Sequence, residues 1–390
     1  MSFNTVLPMH LTQNSKWAKL KSAFDMDPTE CIAMWVADSD YPTAPCVIET
    51  LQRAVDHGLF NYGYDKDKYL AAVCWWLKTR HDWEVSPDWI LSTQGLGHAI
   101  AMCLDVWSEP GEGVAFFTPV YHEFRLKSER AGRRPVELPM ALVDGRYELD
   151  WDAAEAAITP DTRILLFCSP QNPSGRMWSP EEQRQVAEFA ARHDLILVSD
   201  EVHCDLIYDG KRHVPMDVAA PDHRDRLVTL FAASKTFNLA GMRVGQVIIR
   251  DDTLRAQMGN RLIALNYDPT TMGVWASQAA YSPDGAQWLA AQMAHLTRNR
   301  EIFDAGINAI PGLHSMRLDA TFLPWVDFSG TGMSVEEIER RVQRDARIGV
   351  APGTWFGTGG EMFNRFNLAL PTAQIEETVA RMQAAFGDLQ

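Results

Sequence analysis

Short apolar runs alternate with amphipathic segments between residues 89 and 250. The runs are Trp89–Leu91, Gly113–Phe117, Ile164–Cys168, Leu195–Val198, Leu227–Ala232 and Gln246–Ile249. The segments between them carry apolar residues at helical spacing, as in Glu181–Arg192, where Val186, Phe189 and Ala190 share one face. Continuous apolar runs predict strands that are buried on both faces, and their alternation with helices predicts a mostly parallel sheet flanked by helices. The predicted fold class is therefore α/β.

The pattern changes after about residue 282. The segments of this region are a long helix over Trp288–Ile307, strands over Thr321–Phe328 and Phe363–Leu370, a helix capped by Ser334 that runs to about Ala346, and an amphipathic helix over Ala373–Phe386. These elements predict a smaller α+β domain over residues 286–390. We expect residues 46–285 to form the large domain and residues 1–45 to pack with the small one.

Length and composition narrow the class of protein. A chain of 390 residues exceeds the size at which one core stops growing, which agrees with two domains. The formal net charge of −15 argues against nucleic acid or an anionic membrane surface as a partner. The six cysteines form no CxxC pair and no apolar run approaches a membrane span, so we expect a reduced, cytoplasmic protein without a metal site.

Candidate chemistry lies where the predicted strands end, because ligands collect at the carboxyl ends of parallel strands. Lys235 follows the run Leu227–Ala232 almost directly. A lysine amine that is held there out of water has a lowered pKa and can attack a carbonyl. Ser234 and Arg243 offer a hydroxyl and a fixed cation that suit a phosphate. An aldehyde and a phosphate together suggest pyridoxal phosphate, although a Ser-Lys pair alone also fits a solvated surface turn.

Two further strand ends carry compatible residues. Gly95-Leu96-Gly97 begins a helix, where free backbone N–H groups and the helix dipole favour a phosphate. Tyr121 follows the run Gly113–Phe117 and could stack on a planar ring. A plain strand-to-helix turn and a core aromatic residue are the alternative interpretations.

Two more strand ends complete the set. Asn172 lies in a turn fixed by two prolines and could donate to a phenolate oxygen. Asp200 follows the run Leu195–Val198, where a carboxylate needs a partner; a pyridinium nitrogen would be one, and a helix N-cap is the alternative. His203 comes three residues later and could reach the same ring oxygen as Asn172. These features all follow apolar runs, and their joint occurrence by chance is improbable.

With these residues the chain resembles the fold-type-I pyridoxal-phosphate enzymes of the aminotransferase class I/II group. The motifs that carry the resemblance are Asn172-Pro-Ser-Gly175, Asp200-Glu-Val-His203, Ser234-Lys235, Gly241-Met-Arg243-Val-Gly245 and Arg365. Finer motifs resemble the MalY/PatB subgroup of carbon–sulfur β-lyases: Met34–Tyr41, Tyr62-Gly63-Tyr64, Pro119-Val-Tyr121, Asp200–Leu206 and His213-Val-Pro215. The resemblance covers nearly the whole chain. It implies a seven-stranded, mostly parallel sheet in the large domain.

The resemblance also implies residue roles and a homodimer with shared active sites. The cofactor would be held by Leu96, Gly97, Tyr121, Asn172, Asp200, His203, Ser234, Lys235 and Arg243, and by Tyr64 of the neighbouring subunit. The catalytic residues would be Lys235, Asp200 and Tyr121. The substrate, a small amino acid, would be bound by Arg365, Ala37 and Asn172, with Arg365 clamping its α-carboxylate.

Three functions remain open at this point. The favoured one is β-elimination from an S-substituted L-cysteine such as cystathionine, giving a thiol, pyruvate and ammonia. The second is an aminotransferase, since Gly241-Met-Arg243-Val-Gly245 is typical of that wider group and the turn Gln94–His98 is less apolar than the β-lyase subgroup suggests. The third is a regulatory binding protein that keeps a pyridoxal-phosphate site. Residue types alone do not separate these reactions.

Overall fold

A computed structural model describes residues 3–389. Its strands are β1 Ile32–Ala33, β2 Ile90–Thr93, β3 Gly113–Thr118, β4 Arg134–Pro139, β5 Ala141–Val143, β6 Arg146–Glu148, β7 Thr162–Cys168, β8 Ile196–Asp200, β9 Leu227–Phe231, β10 Gly245–Ile248, β11 His314–Ser315, β12 Trp325–Asp327, β13 Ile348–Gly349, β14 Ala351–Pro352 and β15 Phe363–Arg365. Its α-helices are α1 Ser15–Ala18, α2 Leu20–Phe24, α3 Pro45–His57, α4 Lys66–His81, α5 Leu96–Trp107, α6 Glu123–Arg130, α7 Trp151–Ala157, α8 Pro180–Arg192, α9 Met216–Ala219, α10 Asp252–Ala264, α11 Thr271–Ala280, α12 Pro283–Asn308, α13 Val335–Arg340 and α14 Thr372–Ala385.

The large sheet has seven strands in the order β2-β10-β9-β8-β7-β3-β4. Strand β10 is antiparallel to both of its neighbours, and the other paired strands are parallel. The predicted α/β fold class is confirmed, and each of the six apolar runs contributes a strand. The seventh strand, β4, did not appear among them. It lies at the edge of the sheet, where prolines are tolerated, and its two prolines, together with Arg134 and Glu137, interrupt what would otherwise be a continuous apolar run.

Helices cover both faces of the large sheet because alternate strand residues point to opposite faces. Phe117 and Phe167 pack on one face with Val186 and Phe189 of α8, while Phe116 and other residues pack on the opposite face with α5 and α10. Helix α8 begins at a full capping box, in which the side chain of Ser179 accepts from the backbone of Glu182 and Glu182 reaches back. Among the described residues, no helix combines the length and apolar character that crossing a membrane requires.

A second sheet, in the order β11-β12-β15-β14, lies in the C-terminal part of the chain. Strands β12 and β15 are shorter than the predicted Thr321–Phe328 and Phe363–Leu370, because the remaining residues adopt irregular backbone, with Thr321 at a φ of 72°. Near the N-terminus, β1 pairs in parallel with β13, which brings residues 32–33 onto this C-terminal part. The exact domain boundaries stay a prediction.

Candidate active site

The topology brings the candidate residues to one edge of the large sheet. Strands β2, β3, β7, β8 and β9 all end at that edge, and the antiparallel strand β10 begins there. Arg243 therefore reaches the same edge by preceding a strand, whereas the other residues follow one. The residues assembled at this edge are Leu96, Gly97, Tyr121, Asn172, Asp200, His203, Ser234, Lys235 and Arg243.

Lys235 is held by a main-chain oxygen from a distant part of the chain. Its Nζ donates to the carbonyl oxygen of Ala37 at 2.7 Å. Burial lowers the pKa of the Lys235 amine to about 8, with Asp38 and Asp200 acting to raise it and Arg365 to lower it. A useful fraction of the amine is therefore neutral near physiological pH, which a nucleophile or a general base requires.

Asp200 is a buried carboxylate at the end of β8. Burial raises its pKa to about 6, and the hydrogen bond that its Oδ1 accepts from the Val202 amide at 3.2 Å only partly offsets the cost. Its interaction with Lys235 also favours the charged form. A cationic partner would stabilise a carboxylate that is buried in this way.

Two side chains near Asp200 are uncharged. Burial lowers the pKa of His203 well below its ordinary value, and Lys235 and Arg365 lower it further. The buried Nδ1 of His203 has no hydrogen-bond partner among residues 3–389. Burial raises the pKa of the half-buried Tyr121, as do Glu123 and Asp200, so its phenol stays neutral. Both groups can therefore act as hydrogen-bonding or stacking partners without adding charge.

The turn before α5 is built by close backbone approach. Gly95 has a φ of 84° and begins a helix whose first residues, Leu96 and Gly97, have no side-chain cap over their amides. The exposed Arg243 lies beside it, with its Cα 3.7 Å from the position of a Cβ on Gly95. A Cβ on Gly245 would come within 2.6 Å of Leu96 Cδ2 and 3.0 Å of the Gly95 carbonyl carbon, so glycine at position 245 lets β10 begin close against the turn. Free amides, a helix dipole and an arginine together suit a phosphate.

Arg365 is buried on β15, the strand between β12 and β14, so it is not a surface arginine of an edge strand. One guanidinium nitrogen donates to Asn172 Oδ1 at 2.8 Å and another to the carbonyl oxygen of Trp35 at 2.9 Å. The guanidinium lies over the Phe356 ring at 4.9 Å, and its buried Nε has no partner within the described part of the chain. Burial lowers its pKa to about 10, which leaves it charged at neutral pH.

A short segment, residues 35–41, connects these groups, and we call it the strap. Besides the Ala37 and Trp35 carbonyls, Asn367 Nδ2 donates to the carbonyl oxygens of Val36 at 2.8 Å and Asp38 at 2.7 Å. The sequence motifs pointed to Ala37 but not to Asn367. The alternation of residues 363, 365 and 367 on one strand face was the signal that could have found it.

Tyr64 is the one predicted cofactor residue that the chain does not bring to this cluster. Its ring packs edge-on against Tyr69 at 5.8 Å, and burial and Asp268 raise its pKa. This position agrees with the expectation that it serves a neighbouring subunit, which stays a prediction.

A buried polar cluster lies close to the site. His81 Nε2 is 2.9 Å from Asp205, and Cys204 Sγ is 3.7 Å from the same histidine. Asp205 also accepts from Trp76 Nε1 at 3.1 Å and from Thr236 Oγ1 at 3.0 Å. Hydrogen-bond donors already surround the Asp205 carboxylate, so the cluster is a hydrogen-bond network and not a set of free metal ligands. Through Thr236, this network holds the residue next to Lys235 in place.

Pyridoxal phosphate fits the residues at this sheet edge. Lys235 offers an amine for the aldehyde, and the amides of Leu96 and Gly97 with Arg243 and Ser234 would hold the phosphate. The buried carboxylate of Asp200 suits the pyridine nitrogen. The unpartnered Nδ1 of His203 and the amide nitrogen of Asn172 suit the ring oxygen.

Comparison with known proteins identifies the family. The family model for aminotransferase class I and II matches residues 29–382. The chain belongs to this family. Among its relatives, cystathionine beta-lyase PatB of Bacillus subtilis (strain 168) is 35% identical over 381 residues, which is 96% of this chain and 97% of PatB. The resemblance seen in the sequence motifs, including that to the MalY/PatB subgroup, is confirmed.

Solved structures agree with the fold over most or all of the chain. Cystalysin from Treponema denticola, whose crystal structure contains a pyridoxal 5'-phosphate cofactor, has a TM-score of 0.94 and 30% identity, covering 100% of this chain and 99% of cystalysin. The aromatic aminotransferase of Pyrococcus horikoshii OT3 has a TM-score of 0.84 and 26% identity, covering 92% and 96% of the two chains. The chain is therefore similar to proteins that are named for different reactions.

Proposed function

We propose that this protein is a pyridoxal-phosphate-dependent carbon–sulfur β-lyase that cleaves cystathionine or a related S-substituted L-cysteine. One observation carries the proposal: the Lys235 amine, with its lowered pKa, lies among a buried carboxylate, a neutral imidazole and a buried guanidinium. The 35% identity to cystathionine beta-lyase PatB supports the choice of reaction. Free cysteines throughout the described residues agree with a cytoplasmic enzyme.

Each charged residue has a distinct task in this reaction. Arg365 binds the substrate α-carboxylate through two parallel N–H bonds, in place of contacts that it now makes with Asn172 and Trp35. Asp200 keeps the pyridine nitrogen of the cofactor protonated. When bound, the cofactor supplies an electron sink for the carbanion at Cα.

The neutral Lys235 amine removes the Cα proton of the substrate. The bond between Cβ and sulfur then breaks, and the sulfur leaves with the electron pair as a thiolate that takes up a proton. Addition of one water balances the products, which are a thiol, pyruvate and ammonia. A neutral amine is required for the first step, and the lowered pKa of Lys235 provides it.

An aminotransferase is the second candidate, favoured by the structural likeness to the aromatic aminotransferase of P. horikoshii. The residues would act in the same way up to removal of the Cα proton. Lys235 would then return that proton to the cofactor instead of allowing a sulfur group to leave. The two reactions share the site and differ in their products.

Product analysis separates the two candidates. Purified holoenzyme is incubated with cystathionine alone and, separately, with an amino donor and 2-oxoglutarate. Pyruvate together with free thiol supports the lyase, and accumulated glutamate without pyruvate supports the aminotransferase. The Lys235→Ala variant is the matched control, since neither product should form in either mixture.

We also propose a homodimer. Large apolar side chains are exposed around α3 and the loop that follows it, namely Ile48, Val55, Leu59, Phe60 and Tyr62, and Tyr62 is fully exposed. Two of them, Leu59 and Tyr62, line a groove of about 660 Å³ between this region and α11. An exposed apolar region of this kind is typical of a protein interface, and Tyr64 follows it by two residues.

A further inference from the structure

A buried lysine from the N-terminal part of the chain contacts the strap. Lys16 of α1 has a fully buried side chain, and its Nζ lies 2.8 Å from a carboxylate oxygen of Asp38 and 2.8 Å from one of Asp40. Nζ also donates to the Asp38 carbonyl at 3.0 Å. Both carboxylate contacts are ion pairs. Trp35 Nε1 in turn donates to the Lys16 carbonyl at 2.8 Å.

The strap also contacts both cations of the candidate active site. The Ala37 carbonyl accepts from Lys235, and the Trp35 carbonyl accepts from Arg365. The Asp38 carbonyl accepts from the buried ammonium on one side and from Asn367 on the other. A few consecutive peptide groups therefore link the buried lysine to both cations of the site.

Packing alone does not require a lysine at this position. Taking an ammonium out of water costs free energy. Replacing both members of a buried ion pair by apolar residues of similar size often leaves the folding stability unchanged or increases it. Burial lowers the pKa of Lys16, but Asp40 and Asp38 outweigh this, so its pKa is above the ordinary value and the group stays charged. A buried charge that is retained beside an active site points to a role in positioning its neighbours.

Charges from three parts of the chain face the Lys235 amine. Asp38 and Lys16 come from the N-terminal segment, Asp200 is the last residue of β8, and Arg365 lies on β15. Asp38 is the strongest of the charges that raise the pKa of Lys235, and Lys16 acts in the opposite direction. The neutral His203 adds no charge.

We propose that Lys16 is a positioning residue for the reaction. It holds the strap so that the Ala37 and Trp35 carbonyls meet Lys235 and Arg365, and its charge offsets that of Asp38 beside the Lys235 amine. The inference rests on the proposed function only in that Lys235 carries the cofactor. It does not depend on whether the reaction is elimination or transamination.

The test measures the pH dependence of cofactor uptake by the full-length apoenzyme, followed by absorbance. Only the neutral Lys235 amine reacts, so the rate of cofactor uptake rises with pH to a plateau. The midpoint of this rise is the pKa of Lys235. Lys16→Met leaves Asp38 without its counter-charge, so the midpoint should rise by at least about half a pH unit. Asp38→Asn should shift it downward. Lys21→Met is the matched control, because Lys21 is exposed in the same N-terminal segment, and its midpoint should not change.

The double variant Lys16→Met/Asp38→Asn decides whether charge is the cause. It removes both charges, so its midpoint should return toward the wild-type value. A midpoint unchanged in Lys16→Met, or a double variant that keeps the full shift, overturns the inference. If Lys16→Met does not fold, Asp38→Asn decides alone, and an unchanged midpoint overturns it. Borohydride labelling of a lysine other than Lys235 would instead refute the proposed function.

Discussion

At the scale of single residues, Asp200 is placed where its charge costs stability until a partner arrives. Its folded-state pKa of about 6 lies above its ordinary value of 3.8 because the group is buried. Between these two pH values the unfolded chain releases the proton before the folded protein does. The free energy of unfolding therefore falls as the pH rises through this window.

Asp200→Asn should stabilise the apoenzyme above pH 6 and weaken cofactor binding. The difference of about two pKa units corresponds to a gain on the order of 3 kcal/mol at pH 8 and almost none near pH 4. Urea unfolding of the apoenzyme at both pH values measures it. Asp194→Asn, which changes a fully exposed carboxylate, is the control and should gain nothing. Equal stability of wild type and Asp200→Asn at pH 8 would contradict the cost assigned to Asp200.

Arg365→Lys should lower kcat/KM by an amount equivalent to about 2–5 kcal/mol, because lysine keeps the charge but loses the planar fork. The absorbance of the bound cofactor should stay unchanged, since other residues hold the cofactor. Steady-state kinetics with the preferred amino acid measures the first effect. Arg317→Lys, an exposed arginine of the C-terminal part, is the control. Wild-type kcat/KM in Arg365→Lys would eliminate the clamp, and lost cofactor absorbance would place Arg365 at the cofactor instead.

At the scale of elements, the start of β10 and the turn before α5 fit together without space for a side chain. Gly245→Ala would bring a methyl group within 2.6 Å of Leu96 Cδ2 and 3.0 Å of the Gly95 carbonyl carbon. Overpacking of this kind costs about 1–3 kcal/mol, so the dissociation constant of pyridoxal phosphate should rise by about fivefold to about 150-fold.

Gly241→Ala is the matched control for this prediction. Gly241 precedes the same strand by four residues, yet no atom lies within 4 Å of its added Cβ. Equilibrium titration of each apoenzyme variant with the cofactor gives the comparison. Equal affinities in the two variants would show that the contact between β10 and the turn does not shape the phosphate site.

The hydrophobic pattern predicted the strands of the large sheet wherever burial on both faces produced a continuous apolar run. It did not reveal β4, because an edge strand pairs on one side and tolerates prolines. It placed Asp200 and Lys235 at the sheet edge because each follows a strand. The arrival of Arg243 at that edge depended on the antiparallel direction of β10, which pattern does not show.

The strap marks the limit of prediction for the site. Its contacts join residues far apart in the chain, such as Ala37 with Lys235 and Val36 with Asn367. They are made by main-chain carbonyl oxygens, which every residue carries, so the residue types do not predict them. Lys16 looked like any other lysine of a charged N-terminal segment, and only the fold shows that it is buried.

At the scale of the whole molecule, the proposed dimer can be tested by mixing two defective variants. The Tyr64→Phe and Lys235→Ala chains each lack one part of the site. In a mixed dimer, one site combines the intact Lys235 of one chain with the intact Tyr64 of the other. After random exchange, about a quarter of the wild-type number of sites should be restored.

Activity of the mixture measures this restoration, and the separately kept variants are the controls. No gain on mixing, although sedimentation shows that the subunits have exchanged, would show that Tyr64 does not act across the interface. A fully active monomer in sedimentation would refute the dimer itself.

The connection between β9 and β10 carries both Lys235 and Arg243, and its residues Ala240, Gly241 and Arg243 are exposed. If both residues bind the cofactor, as proposed, it joins them through a second, non-peptide path. The loop then resists the local opening that a protease needs to cut it. Trypsin should therefore cleave after Arg243 more slowly once pyridoxal phosphate is added. The bound cofactor should thus lengthen the lifetime of the protein in the presence of the protease.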